Sequence, residues 1–354
     1  MRLFDYEKLA ERTWDSEIVS YVSKIHEYKG KQELFLRQKP VELERLIEIA
    51  RIQSTEASNR IEGIITTNSR LKQLVGDKTT PKNRAEEEIL GYRNVLALVH
   101  ENYESIPVRS NYIRQLHRDL LQYTGYTYGG QFKTTPNEIV QISGNGEKTV
   151  RFRPAEPYET PAAVEQICES FRRALDLEVV DELILIPCFI LDFLCIHPFA
   201  DGNGRMSRLL TLLLLYRSGY LVGRYISIEK VIADTKDAYY DALQRSDQGW
   251  YEAENDPEPF IKYMLSVILR CYRDFETRIS LASKTGARSA AYDIVKAHVA
   301  ERLGKFSKQD VLMSCPSLGS SSVEAALKKL VEDGTLLRLG AGRKTVYVRA
   351  DAAK

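Results

Sequence analysis

Two apolar segments, residues 183–196 and 209–216, stand on either side of a polar segment, residues 197–208. Each apolar segment is too short, or too interrupted by polar residues, to cross a bilayer, so both are predicted to be buried helices. The chain must turn between them, and Gly202 and Gly204 let its backbone come close to a bulky anion. The pattern therefore predicts a helical core with a polar turn inside it.

The polar turn carries a histidine, a carboxylate and two arginines, a set that suits a polyphosphate. His197 suits a general base, since a neutral imidazole is available near neutral pH. Asp201 suits Mg²⁺ that bridges phosphates. The helix that follows would aim its N-terminal N–H groups at the anion, with Arg205 and Arg208 one turn apart on it and pointing the same way.

This turn has the sequence HPFADGNGRMSR, which resembles the Fic (filamentation induced by cAMP) signature H-P-F-x-[D/E]-G-N-G-R-x-x-R at every specified position. The resemblance implies a mainly α fold, a Fic helical bundle, that moves the AMP part of ATP onto a protein hydroxyl group. It implies His197 as the catalytic base and Asp201 as the Mg²⁺ ligand. The phosphate-binding residues that it implies are Gly202, Asn203, Gly204, Arg205 and Arg208. Relatives that phosphorylate have a lysine near position 204, so the glycine favours AMP transfer.

Tyr239 and Tyr240 fall where similar proteins line the adenine pocket, although a tyrosine pair on a helix is more often core packing. A second motif, Ser58 to Gly63, places a hydroxyl and a carboxylate on one helix face. It resembles the Fic inhibitory motif [S/T]-x-x-x-E-[G/N], which implies that Glu62 pairs with Arg208 in place of the γ-phosphate. The alternative is a solvated helix face that carries Ser58 and Glu62 by chance.

Residues 125–157 interrupt the helical pattern, and residues 138–152 within them predict a β-hairpin. The hairpin either ties two helices together or offers an edge to an extended peptide. The resemblance favours the second interpretation, a target-docking flap that includes Ile139 and Val140. Further predicted helices span residues 181–196, with Pro187 in the first turn or at a kink, and residues 227–246.

The chain has 354 residues, 44% of them hydrophobic and 28% charged, and a net charge of +1, so it is predicted to be an ordinary soluble protein. Its net charge excludes polyanion binding by overall charge. The N-terminus has no apolar stretch of signal-peptide length, and a cytoplasmic protein without membrane association is expected. The five cysteines form no CxxC pair and are predicted to be reduced core residues: Cys168, Cys188, Cys195, Cys271 and Cys315.

Three regions are predicted: a helical N-terminal region at 1–110 with the inhibitory helix, a catalytic core at 111–283, and a small α+β module at 284–354. The module shows three helical segments and two strands, the order of a winged helix-turn-helix, with thirteen basic and seven acidic residues and a net charge of +6. Its candidates for phosphate contact are Ser320, Ser321, Ser322, Glu324, Lys328, Lys329, Arg343 and Lys344. DNA binding and protein docking or dimerisation are both open for this module.

The sequence thus favours an autoinhibited protein adenylyltransferase that uses ATP and Mg²⁺ and modifies a tyrosine, threonine or serine of an unidentified target protein. Removal of AMP, with Glu62 positioning water, and self-modification are related activities that the resemblance allows, and it also implies a homodimer. The alternative is a DNA-binding transcriptional regulator whose Fic domain senses a nucleotide.

Overall fold

The computed structural model describes residues 2–38, 40–142, 148–284, 290–300, 302, 304–315, 318–340, 342 and 345–350. The chain divides into two compact units, the first made of Met1–Glu33 and Ala50–Tyr272 and the second of Leu34–Ile49 and Arg273–Lys354. The three-region division at residues 110 and 284 stays a prediction.

The chain is mainly helical, as predicted. The helices are α1 (Ser16–Gln38), α2 (Pro40–Ile61), α3 (Asn68–Val75), α4 (Arg84–Asn102), α5 (Ser110–Leu120), α6 (Thr160–Asp176), α7 (Glu182–Ile196), α8 (Asn203–Arg217), α9 (Ile228–Asp234), α10 (Lys236–Ser246), α11 (Glu258–Lys284), α12 (Ala290–Ala300), α13 (Lys308–Ser314) and α14 (Ser320–Glu332). The strands are β1 (Ile139–Ile142), β2 (Lys148–Phe152), β3 (Leu336–Leu339) and β4 (Val346–Arg349). No helix in the described part of the chain is long and apolar enough to cross a membrane.

Helices α7 and α8 form the centre of the first unit, and nearly all their residues are buried. A helix that is apolar on every side is stable only when other elements surround it, which is the position of these two. The Asp181 side chain accepts the Leu183 N–H and so starts α7. Pro187 lies inside α7, in its second turn, so of the two predicted placements, the first turn or a kink, the first is wrong.

The single helix predicted over residues 227–246 is wrong, because α9 and α10 are separate helices. Thr235 divides them, with φ −121° and ψ 35°. Its hydroxyl donates to the Val231 carbonyl at 2.8 Å and lies 2.8 Å from the Tyr263 hydroxyl. A threonine hydroxyl that donates to the carbonyl four residues earlier competes with the hydrogen bonds of the helix backbone. α9 therefore ends at Asp234, and α10 begins at Lys236.

The predicted hairpin is present, with β1 and β2 antiparallel and an irregular register between Ile139 and Val140. Residues 143–147 at its tip lie outside the described residues. Its second strand is held by packing and charge: Phe152 stacks on Tyr251, and Arg151 pairs with Asp247 at 3.2 Å, both side chains being largely buried. β2 is therefore held against the residues that follow α10.

The C-terminal module of the second unit shows the predicted order of three helices and two strands, with β3 antiparallel to β4. Its core includes Val295, Phe306, Val311 and Leu327. Ser307 and Asp310 form a capping box at the start of α13. The winged-helix interpretation stays a prediction, and Arg343 and Lys344 lie outside the described residues.

All five cysteines are buried, as predicted. Burial raises the pKa of the Cys168 thiol to about 12, so this residue is a protonated, unreactive part of the core at neutral pH.

Candidate active site

The polar turn begins where α7 ends, and its first residue has an unusual backbone. His197 adopts φ 51° and ψ 61°, the left-handed region that few residues other than glycine occupy, while its N–H donates to the Phe193 carbonyl at 2.9 Å. Its Nδ1 lies 3.3 Å from the Leu194 carbonyl oxygen. A carbonyl can only accept, so Nδ1 carries the proton and Nε2 has a free lone pair. His197 therefore presents the nitrogen that a general base requires.

Asn203 holds the turn closed with its side chain. Its Oδ1 accepts the Phe199 N–H at 2.9 Å, and its Nδ2 donates to the Phe199 carbonyl at 2.7 Å. Gly202 just before it has φ 81°, a conformation in which most side chains are strained. Helix α8 begins at Asn203, so the N–H groups of its first turn are available to an anion. The phosphate roles of Gly202, Asn203 and Gly204 stay predictions.

His117 of α5, which the sequence did not suggest, supports this turn from below. Its ring stacks on Phe199 with centroids 3.7 Å apart and an interplanar angle of 10°. The Gly130 N–H donates to Nδ1 at 3.0 Å, so the proton is on Nε2, which donates to the Asp201 carbonyl at 3.0 Å. A Cβ on Gly202 would lie 3.4 Å from that Nε2, so the glycine and the imidazole fit together closely.

Lys133 and Asn137, also not suggested by the sequence, lie on the other side of the turn. Lys133 Nζ donates to the Ile196 carbonyl at 2.9 Å, and the Lys133 N–H donates to the Pro198 carbonyl at 2.9 Å. The Asn137 amide donates to the Phe199 carbonyl at 3.1 Å. The backbone on both sides of His197 is therefore hydrogen-bonded to the segment between α5 and β1.

Arg205 is almost completely buried, and its partner comes from α4. Its Nη1 lies 2.8 Å from Glu88 Oε2, and its Nη2 lies 3.8 Å from Asp201 Oδ2. Arg84 also donates to Glu88, at 3.0 Å. The sequence did not suggest a role for Glu88 in this site. In the structure Glu88 orients an arginine of the turn.

Arg208 is buried and points to α2 rather than to α4. Its Nε donates to Ser58 Oγ at 2.8 Å, and its Nη2 donates to the Ser58 carbonyl at 2.9 Å and to Glu62 Oε1 at 2.7 Å. Arg205 and Arg208 therefore bind different helices. Ser58 has no exposed surface, which excludes the solvated-face alternative for that residue. Gly63 has φ 78°, as expected just after a helix end.

Glu62 fits beside the turn because position 204 has no side chain. A Cβ on Gly204 would lie 2.3 Å from Glu62 Oε1 and 3.4 Å from Arg208 Nη1. Burial raises the pKa of Glu62, but the ion pair with Arg208 outweighs burial, and the net pKa lies below the ordinary value. Glu62 is therefore a carboxylate at neutral pH and brings a negative charge to the turn.

Tyr239 and Tyr240 lie near this ion pair. Burial raises the pKa of both phenols, and the charges of Glu62 and Arg208 also influence both pKa values. Their rings are 5.3 Å apart. Tyr239 is buried and packs against Tyr263, whereas Tyr240 is 37% exposed. Tyr240 thus has the surface that a ligand needs, and Tyr239 fits the core-packing alternative; the adenine-pocket role stays a prediction.

The predicted flap residues are Ile139 and Val140 of β1. Ile139 is half-buried, and the Val140 side chain lies outside the described residues. Target docking by this hairpin stays a prediction.

Asp201 is the carboxylate of the turn that could hold a metal ion. Its side chain is 47% exposed, and its Oδ1 accepts the Gly202 N–H at 2.6 Å. Among the described residues no group of three or more His, Cys, Asp or Glu side chains could hold a metal. A single exposed carboxylate fits Mg²⁺ that takes its other ligands from substrate phosphates and water, and it does not fit an all-protein site.

His197 is kept neutral by its surroundings. Burial, and after it the positive charge of Lys133, lower the pKa of its imidazole, while the bond to the Leu194 carbonyl and the negative charges of Glu62 and Asp201 oppose the change, and the net pKa is about 4. At neutral pH the ring is unprotonated and can accept a proton.

Comparison with known sequences finds a family model that matches the centre of the chain. Residues 107–215 match the model of the Fic/DOC family. A probable protein adenylyltransferase from Aquifex aeolicus is 33% identical over 93 residues, which are 26% of this chain and 28% of that protein. A protein adenylyltransferase Fic from Nematostella vectensis is 27% identical over 234 residues, 63% of this chain and 48% of that protein. The chain thus spans less than half the length of these curated relatives.

Solved structures have the same fold. A Fic family protein from Desulfovibrio desulfuricans G20 superposes with a TM-score of 0.62 at 20% identity, over 96% of this chain and 97% of that chain. A Fic domain containing signaling protein from Bacteroides thetaiotaomicron VPI-5482 superposes with a TM-score of 0.59 at 25% identity, over 77% of this chain and 99% of that chain. The helical architecture that the resemblance implied is therefore confirmed.

Proposed function

We propose that this chain, whose residues 107–215 match the Fic/DOC family model, is a protein adenylyltransferase held inactive by Glu62. The curated relatives named protein adenylyltransferase support the reaction class. The observation that carries the inhibitory part is the set of three hydrogen bonds by which Ser58 and Glu62 engage Arg208.

The reaction is a displacement at the α-phosphorus of ATP. The oxygen of a target hydroxyl group forms a bond to that phosphorus, the bond to the oxygen bridging the β-phosphorus breaks, and pyrophosphate leaves. His197 takes the hydroxyl proton on Nε2, the nitrogen that its bond to Leu194 leaves unprotonated. Asp201 would hold the Mg²⁺ that accompanies ATP, and that ion supplies neutralisation of phosphate charge.

The first turn of α8 receives the phosphates in this proposal. Its free N–H groups and the positive end of its dipole stabilise a polyphosphate at Gly202 to Gly204. Arg205, oriented by Glu88, is placed next to Asp201 and would bind the phosphates nearest the metal. These residues orient ATP and do not themselves exchange protons.

Glu62 inhibits by competing for Arg208. Its carboxylate takes a guanidinium N–H that the γ-phosphate would otherwise accept, and its charge repels the phosphates. Removal of this carboxylate should activate the enzyme about 5- to 150-fold, the range of ordinary coupling free energies. Hydrolysis of a modified target at the same site would use a water positioned by Glu62: the water oxygen bonds to the phosphorus, the bond to the target oxygen breaks, and AMP is released.

Intact mass spectrometry after incubation with ATP and Mg²⁺ tests the proposal on the chain itself. Glu62→Gly should gain adenylyl groups, wild type should gain few, and Glu62→Gly/His197→Ala should gain none. Cell lysate with labelled ATP extends the test to target proteins if the chain does not modify itself. If no variant gains an adenylyl group and none labels a protein in the lysate, the proposed reaction class is contradicted.

A further inference from the structure

Lys133 is a buried cation next to the candidate base, and the reaction above gives it no task. Only 4% of its surface is exposed. Its Nζ donates to the Ile196 carbonyl at 2.9 Å and to Asn137 Oδ1 at 3.0 Å. Within the described residues no carboxylate lies at ion-pair distance from it, and Glu156 acts on it only from farther away. A buried ammonium group without a carboxylate partner is costly, so a specific use is expected.

The backbone contacts of Lys133 hold His197 in its left-handed conformation. Ile196 is the last residue of α7, and its carbonyl has no partner within the helix. A cation at this place also fits the negative end of the helix dipole. Because the Lys133 N–H binds the Pro198 carbonyl as well, one residue fixes the chain before and after His197.

The charge of Lys133 acts on the imidazole as well. Burial has the largest effect on the pKa of His197, and the charge of Lys133 is the next cause that lowers this pKa and so favours the neutral ring. The charged groups that oppose it are Glu62 at the end of α2 and Asp201 in the turn. Burial lowers the pKa of Lys133 itself to about 8, so the ammonium form predominates at pH 7.

We propose that Lys133 is a positioning residue that fixes His197 through the Ile196 carbonyl and, through its positive charge, keeps the imidazole free to accept a proton. The proposal rests on the proposed role of His197 as the base. A neutral hydrogen-bond donor at position 133 could supply the first part, but only a cation supplies the second.

Three variants separate the effect of the hydrogen bond from the effect of the charge. Lys133→Met removes both the hydrogen bond and the charge, whereas Lys133→Gln keeps a donor of shorter reach without the charge. Lys133→Arg keeps the charge and should retain the wild-type behaviour. Lys236→Met is a matched control, because Lys236 also donates to the last carbonyl of a helix, Ile61 of α2, at 3.0 Å, and it is not a cause acting on His197.

The first measurement is an NMR titration of ring-labelled histidine between pH 5 and 8. The chain has five histidines, and the signal missing from His197→Gln identifies His197. In wild type, Lys133→Arg and Lys236→Met, His197 should stay neutral over this range. In Lys133→Met and Lys133→Gln its midpoint should rise by about one to two pH units, the usual effect of one nearby charge. An unchanged midpoint in the uncharged variants that fold would overturn the proposal.

The second measurement uses the Glu62→Gly background at pH 6 and pH 8. Lys133→Met and Lys133→Gln should lower kcat more at pH 6 than at pH 8, because a larger share of His197 is then protonated, while KM for ATP stays within about twofold. A loss of kcat that is equal at both pH values would show a structural role only. If no variant transfers AMP, the proposed function fails, and the titration still decides whether Lys133 controls the protonation of His197.

Discussion

Glu62 Oε1 accepts a hydrogen bond of 2.7 Å from Arg208 Nη2, across 146 residues of sequence. The same oxygen lies 2.3 Å from the place where a Cβ on residue 204 would be. The glycine of the turn thus leaves the space that the Glu62 carboxylate occupies. In the proposed function, Glu62 and a phosphate of ATP compete for this space.

Ser58→Ala should activate the enzyme partially. Arg208 Nε loses the hydroxyl that now accepts from it at 2.8 Å, but the Ser58 carbonyl and Glu62 remain in place. We expect AMP transfer between that of wild type and that of Glu62→Gly, measured as the rate of adenylyl incorporation. Ser54→Ala is the matched control, because Ser54 lies one turn earlier and donates to Glu229 at 2.7 Å instead. Equal activation by both serine variants would contradict a specific role for Ser58.

Gly204→Ala should lower the melting temperature in wild type and should not lower it in Glu62→Gly. In wild type the added Cβ collides with the Glu62 carboxylate, whereas in Glu62→Gly the nearest remaining group is Arg208 Nη1 at 3.4 Å. A double-mutant cycle of Gly204→Ala and Glu62→Gly should show a coupling free energy of about 0.5–3 kcal/mol, the range for residues in contact. Gly30→Ala in α1 is the control, because no atom lies within 4 Å of its Cβ and alanine favours a helix. Additive effects of the two substitutions would contradict the contact.

The free energy of unfolding should fall as the pH falls from about 6.5 to 4. Burial lowers the pKa of His100 to about 3 and that of His197 to about 4, so both stay neutral in the folded protein while the unfolded chain takes up protons. Each such residue contributes about 1.4 kcal/mol per pH unit across this window. Thermal unfolding at pH 5 and 7 should show a smaller difference for His100→Gln than for wild type. An equal difference would show that His100 is not a buried neutral residue.

The polar turn and the spacing of Ser58 and Glu62 could be predicted from local patterns, and the contact of Glu62 with Arg208 from the resemblance; the roles of these residues stay predictions. The spacing of Ser58 and Glu62 places both on one face of a helix, and the turn is continuous from His197 to Arg208. The supporting residues could not be predicted in the same way. Lys133 and Glu88 meet the turn only in the folded chain, across 63 and 117 residues, and no local spacing signals such a contact. The sequence shows only that these residues are a lysine and a glutamate, and the chain has many of both.

The break between α9 and α10 was missed for a related reason. Threonine is compatible with a helix, and the hydroxyl partner that it finds in Tyr263 belongs to α11, 28 residues later. Tertiary contacts therefore decided a boundary that propensity left undefined.

Parallel incubation with ATP labelled at either the α- or the γ-phosphate tests the central claim most directly. For Glu62→Gly, the α-label should become bound to protein and the γ-label should not, wild type should incorporate far less α-label, and Glu62→Gly/His197→Ala should incorporate none. Incorporation of the γ-label in place of the α-label would contradict AMP transfer. Equal incorporation of the α-label by wild type and Glu62→Gly would contradict inhibition by the Glu62–Arg208 pair.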